Sequence, residues 1–254
     1  MRAAILFGLL ASTTFATAQT TVPATHSPDG TTHVHIDGLA IPAIPNAPFT
    51  AKVPVSWDEE LASGGTVAKK SYNLVARDSQ GRVRLERRQT VPANSTAEPR
   101  LIEFFVNDPT SAMRLACTLA AKKCDATDFH PAQNLTEPAV GRLPGGTRFL
   151  SRENLGENTM QSMRVVGTRE SITTAVGARG NDRVLVSSKD IWYSPDLQIN
   201  LSVVRNDPRL GQQTLTVTDL VRGEPDAKWF AIPADYEIID ARSKAGIQVS
   251  QTTR

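Results

Sequence analysis

Between residues 49 and 222 the sequence is a succession of short period-2 runs separated by turn residues, and no apolar run of helical length competes with them. The stretch 196–205 shows the pattern most plainly. Leu197, Ile199, Leu201 and Val203 share one phase, and Gln198, Asn200 and Ser202 share the other. That alternation predicts a strand with one face covered and one face wet. Earlier runs behave alike: 49–57, 66–77, 82–90 and 100–107, with Asp78-Ser79-Gln80-Gly81 as a hairpin turn, because Asp accepts local backbone bonds and Gly tolerates positive φ. A second set occupies 147–152, 159–174, 183–193, 196–205 and 212–222. Only 224–230 reads as a short helical turn. Strands joined in sequence without helical crossovers predict a mainly β fold. The expected architecture is an antiparallel meander curled into an open barrel or half-barrel that shelters its apolar face.

Proline marks where this pattern stops. Residues 19–47 are polar and then rich in Pro, with Pro42 and Pro45 followed by Pro48, which suits neither a helix nor a central strand. A flexible, extended lead-in is expected there. The stretch from about 125 to 146 holds Pro131, Pro138 and Pro144 with little periodicity, and is read as a Pro-rich irregular insertion. The remainder, 48–240, is expected to form a single β domain, and 241–254 a C-terminal tail.

Residues 1–18 carry Arg2, an apolar run from Ala3 to Ala11 and small residues at Ala16 and Ala18, the pattern of a cleavable secretory signal. The run is too short to cross a bilayer, and no later stretch approaches a span, so the mature chain is expected to be secreted or periplasmic without a transmembrane segment. Export decides how the two cysteines are read. Cys117 and Cys124 would meet an oxidising compartment, where 118–123 as a hairpin turn lets them close a disulfide contributing about 2.5 kcal/mol in the chain-entropy model. Charge excludes another class: 28 Lys and Arg against 26 Asp and Glu give a formal +2, too balanced for the basic footprint of a nucleic-acid binder.

Several segments carry a resemblance. Ala76-Arg77-Asp78-Ser79-Gln80-Gly81-Arg82, Gly167-Thr168-Arg169-Glu170, Trp192-Tyr193-Ser194-Pro195-Asp196-Leu197, Asp207-Pro208-Arg209, Glu224-Pro225-Asp226-Ala227 and Pro233-Ala234-Asp235-Tyr236 resemble those of a group of uncharacterised exported proteins from soil bacteria. The resemblance spans about 48–236 and implies no activity. More distantly, a meander of this length behind a signal peptide is similar to the unclosed barrels of the periplasmic lipoprotein-carrier (LolA/LolB-like) group. This is an analogy of fold.

Candidate sites are few. His33 and His35 would place two imidazoles on one strand face, a spacing that offers a metal two ligands, but no further Cys or His cluster completes the set, so no metal is expected. Motifs for a nucleophile elbow, zinc hydrolysis, phosphate loops and dinucleotides are missing, so no cofactor and no catalytic residue is assigned. Asp58-Glu59-Glu60 reads as a solvated hairpin tip, and Arg82, Arg84, Arg87 and Arg88 as a charged outer face. Trp192 and Phe104 are the candidate contacts for an apolar ligand, with core packing as the alternative role, and Trp229-Phe230 are expected to plug an end of the sheet. The leading expectation is a non-enzymatic envelope module that holds an apolar molecule such as a lipid, or docks an envelope protein. The alternative is a secreted hydrolase that uses His130, His33 or His35 as its base.

Overall fold

Phe49, Ala51, Val53 and Val55 alternate buried with partly exposed neighbours along β1 (Phe49–Glu60), as a strand with one sheltered face requires. The computed structural model describes residues 39–61, 63–131 and 138–242, so the signal-like segment, His33, His35 and the end of the tail lie outside the described residues. After β1 come β2 (Thr66–Arg77), β3 (Val83–Arg88), β4 (Val91–Pro92), β5 (Leu101–Asp108), β6 (Met113–Thr118) and β7 (Lys123–Asp128). The second set is β8 (Gly141–Arg142), β9 (Arg148–Met160), β10 (Met163–Thr174), β11 (Leu185–Ser194), β12 (Ile199–Asp207), β13 (Gly211–Thr216) and β14 (Thr218–Arg222). A single 3-10 turn (Ala227–Phe230), begun where the Asp226 side chain accepts the Lys228 N–H, precedes β15 (Glu237–Asp240).

All of these strands belong to one sheet, ordered β15-β7-β6-β5-β3-β2-β1-β13-β12-β11-β10-β9-β8, with β4 beside β2 and β14 beside β1. The mainly β, open half-barrel expected from the alternation is what forms. Its order is more specific than a simple meander. One run steps outward from β1 to β7; the other starts at the opposite edge with β8 and steps inward until β13 and β14 close on the free flank of β1. Pro54, which has no N–H to donate, falls at the break between the registers of β13 and β14 on that flank. Every pair is antiparallel except β15 with β7.

The connection from β7 to β8, Pro-rich in sequence, therefore joins strands near opposite edges of the sheet. Its beginning is regular, however. Residues 125–128, placed in the insertion by the sequence reading, complete β7, whose buried Cys124 and Ala126 pair with Cys117 and Leu115. The polar alternates Asp125 and Thr127 hide this strand from a hydrophobicity reading. Two buried clusters hold the sheet together. The larger joins Phe49, Ala51, Val53 and Val55 to Val75, Leu215, Val203 and Ile191; the smaller joins Ala76, Phe104, Val106, Leu115, Cys117, Cys124, Ala126 and Phe230. Val75 and Ala76 are neighbours on β2 and so point to opposite faces, which places the two clusters on opposite sides of the sheet there.

Each face has its own cover. Leu39, Ile41, Ile44 and Ala47 of the lead-in pack on the larger cluster. The fully buried Arg77 holds this segment: its Nε donates to the Ala47 carbonyl at 2.9 Å, Nη1 to Pro42 at 3.0 Å and Nη2 to Leu197 at 2.8 Å, while its guanidinium lies 5.0 Å from the Phe49 ring. Residues 39–47, expected to be flexible, are thus tied down at their carbonyls, a role that Pro-rich chain fills well because its C=O groups have few N–H partners of their own. Burial lowers the Arg77 pKa to about 10, with Tyr193 acting in the opposite sense.

Candidate binding face

The inner face of the sheet, which carries the larger cluster, grades from apolar to charged across two neighbouring rows. Strand registers line up Ser71, Val55, Leu215, Val203, Ile191 and Thr168 in the first row. One step along the strands, the same registers line up Lys69, Trp57, Gln213, Arg205, Lys189, Glu170 and Arg152. Gln213, Arg205, Lys189 and Glu170 of this row are all more than nine-tenths buried. Charged groups seldom sit so deep unless they are paired. Glu170 Oε1 accepts from Arg152 Nε at 2.6 Å, and Arg205 Nη2 donates to Asp207 Oδ2 at 3.2 Å. Four cations, Lys69, Arg152, Lys189 and Arg205, share the row with one carboxylate, Glu170, while Glu59 and Asp207 beside the row pair with Lys69 and Arg205.

Asp207 sits at the end of this belt and is clamped locally. It accepts from the Arg209 backbone N–H at 2.9 Å and from the Arg209 guanidinium at 3.2 and 3.0 Å. Burial pushes the Asp207 carboxyl up, but the bonds from Arg209 together with the charges of Arg209 and Arg205 outweigh it and leave the pKa below the usual carboxylate value. Burial lowers the Arg205 pKa, and Asp207 opposes it. The turn that follows demands Gly211, at φ +76°, where a Cβ would come within 1.9 Å of the Asp58 carbonyl oxygen.

Of the two apolar-contact candidates read from sequence, Trp192 packs against the larger cluster and Phe104 belongs to the smaller one. Phe104 lies in the smaller cluster, on the other side of the sheet, under the Arg84 guanidinium at 4.0 Å and beside Tyr236 at 6.1 Å. Trp192, partly buried on β11 beside the register break between Trp192 and Tyr193, packs against the larger cluster, and its ring covers Gly167, where a Cβ would meet it at 2.6 Å. Across β11 it pairs with Ser202, which is buried with Asn200, so the face of β12 expected to be wet is covered as well. That covering is the correction to a reading which counted polar side chains as exposed ones.

Cys117 and Cys124 are opposite each other on β6 and β7 and form a disulfide, Cα–Cα 4.0 Å. His130 is exposed just past β7. Asp58 and Glu60 are exposed at the end of β1, and Glu59 pairs with Lys69 at 3.7 Å. The arginine cluster is shared among carboxylates: Arg82 with Asp78, Arg84 and Arg88 with Glu86, Arg87 with Glu103. Trp229 and Phe230 pack on the smaller cluster. Among the described residues no group of three or more His, Cys, Asp or Glu side chains is placed to hold a metal, and no helix is long and apolar enough to cross a membrane.

The charged row escaped the sequence reading although its signal was there. Arg205 continues the phase of Leu201 and Val203, Lys189 that of Ile191, and Gln213 that of Leu215. Polar residues in the apolar phase of three consecutive strands mark a shared position once the strands are known to be neighbours.

No family model and no curated protein match the sequence. Solved structures of similar fold include a conserved protein from Thermus thermophilus, 11% identical, covering 76% of this chain and 90% of that one at a TM-score of 0.38. The Pseudomonas aeruginosa MucA/MucB complex contains a chain 12% identical, with 78% of this chain and 59% of that one covered, also at 0.38. A LolA superfamily protein from Nitrosomonas europaea is 9% identical, covering 74% and 91% at 0.28.

Proposed function

We propose that the protein is a non-enzymatic binding module of the cell envelope, and that its inner face holds an apolar molecule such as an acyl chain with a negatively charged end. The observation that supports this reading is the pair of adjacent rows: Val55, Leu215, Val203 and Ile191, buried under the lead-in, would supply apolar contact to a ligand that displaces that cover, and Lys189, Arg205 and Arg152, the last two paired with Asp207 and Glu170, would supply positive charge one step away. An amphipathic molecule laid across the strands would meet both at once. The signal-like residues 1–18 support a secreted or periplasmic location.

Native mass spectrometry and a lipid extract of the purified protein test the reading. An acyl-bearing anion that co-purifies, and whose occupancy falls in Lys189→Met and Arg205→Met variants, is the expected result. A protein that carries nothing and takes up no added fatty acid overturns the ligand reading in favour of protein docking. The hydrolase alternative requires a base within a cleft, and His130 stands exposed.

A further inference from the structure

We infer that one end of the sheet is a docking surface for an anionic phospholipid membrane. Two turns meet there, the one between β8 and β9 and the one between β10 and β11. Thr174 pairs with Arg148, and the Ala175 N–H donates to the Thr147 carbonyl at 2.9 Å. Arg142, Phe149, Thr173 and Val186 line up in register across four strands, so their side chains share a face. Phe149 and Val186 on that face, with Val140, Val176 and Val184 around it, are each between 51% and 58% exposed. Large apolar side chains this open are ordinary singly; five at one end of a sheet form a patch that needs an occupant.

Charge selects the occupant. Segments 140–149 and 174–186 contain Arg142, Arg148, Arg179 and Arg183 against the single acid Asp182, in a chain whose formal charge is only +2. None of the four arginines forms an ion pair among the described residues; Arg142 instead donates to the Gly146 carbonyl at 2.6 Å, which keeps its turn closed. Apolar side chains surrounded by arginines match the interface of an anionic bilayer, where the apolar groups enter the acyl boundary and each cation meets phosphate charge. The turns are built to present them. Asn181 Nδ2 donates to the carbonyls of Ala175 at 2.8 Å and Arg183 at 2.6 Å, so the 175–183 loop holds its shape without help from a partner. This surface is separate from the inner face and does not depend on what that face carries.

Co-sedimentation with vesicles tests the assignment, using the chain from Gln19 onward. Vesicles of phosphatidylcholine containing about one-third phosphatidylglycerol should bind it roughly tenfold better than phosphatidylcholine alone, and the preference should collapse at roughly 0.5 M salt. Arg179→Ala with Arg183→Ala should lower partitioning about tenfold, and Phe149→Ser with Val186→Ser by a similar factor. All four positions are exposed, so circular dichroism and melting should match the parent protein and separate a docking defect from misfolding. Equal binding to neutral and anionic vesicles overturns the proposal, as does undiminished binding by both double variants. Capture by polyglutamate with no vesicle binding overturns it in favour of an acidic protein partner.

Discussion

The two clusters of this sheet are closed by different means. The smaller one is sealed: a disulfide joins β6 to β7, Trp229, Ile232 and Tyr236 pack on the cluster, and β15 extends the edge of the sheet beside β7. The larger one is covered by a lead-in held through carbonyl groups to one guanidinium, and borders a belt of buried charge. Covalent and aromatic closure covers the smaller lobe, whose partly buried Arg84 and buried Glu86 pair with each other while the Arg84 guanidinium lies on the Phe104 ring. Closure by hydrogen bonds leaves the other lobe beside a row of buried charged side chains, Arg205, Lys189 and Glu170.

The largest effect should come from Arg77→Met, which leaves three carbonyls without their donor and removes the anchor of the lead-in. A loss of about 3–5 kcal/mol is expected in denaturant unfolding. Hydrogen exchange should show the backbone around 44–49 losing protection before β5 to β7 do, and uniform loss would erase the contrast between lobes. Phe104→Ala should cost about 3–4 kcal/mol through the cavity it leaves, with the lead-in still protected. Replacing both Cys117 and Cys124 by Ser should cost about 2.5 kcal/mol and act on the smaller lobe alone.

A pH titration sharpens the comparison from the other side. The Asp207 pKa is depressed in the folded protein, so its contribution is present above the unfolded carboxylate value and is lost as pH falls through the lower folded value. Asp207→Asn should therefore flatten the acid limb of the stability curve and cost about 1–2 kcal/mol near neutrality. An unchanged acid limb would show that the clamp adds nothing. The smallest effect belongs to Lys228→Ala, whose exposed pairing with Asp226 should leave the melting temperature where it was.

Much of the architecture could be read from alternation. Ile199 to Val203, Val83 with Leu85, and the 78–81 turn lie where their patterns require, whereas Leu197, read into the same strand, sits in the turn before β12, where Gln198 takes φ 54°. Alternation does not say which strands become neighbours, so the return of β13 to β1 and the parallel pairing of β15 were out of reach. The same gap hid the candidate site. Arg152, Glu170, Lys189, Arg205 and Gln213 are scattered over about 60 residues of sequence and become one row only when registers are known. Trp192 was legible as a large ring at a strand end, but the side it occupies depends on Gly167 across the ladder.

Because β13 and β14 complete the second flank of β1, the central strand is made long before its last neighbours exist. A chain emerging from its N-terminus carries Phe49 to Glu60 with one row of peptide groups bare until Gly211 to Arg222 arrive. Folding must then be slow, since distant segments have to find each other, and the half-formed protein exposes an edge on which a second molecule can stack. Overproduction should therefore yield aggregates seeded at β1.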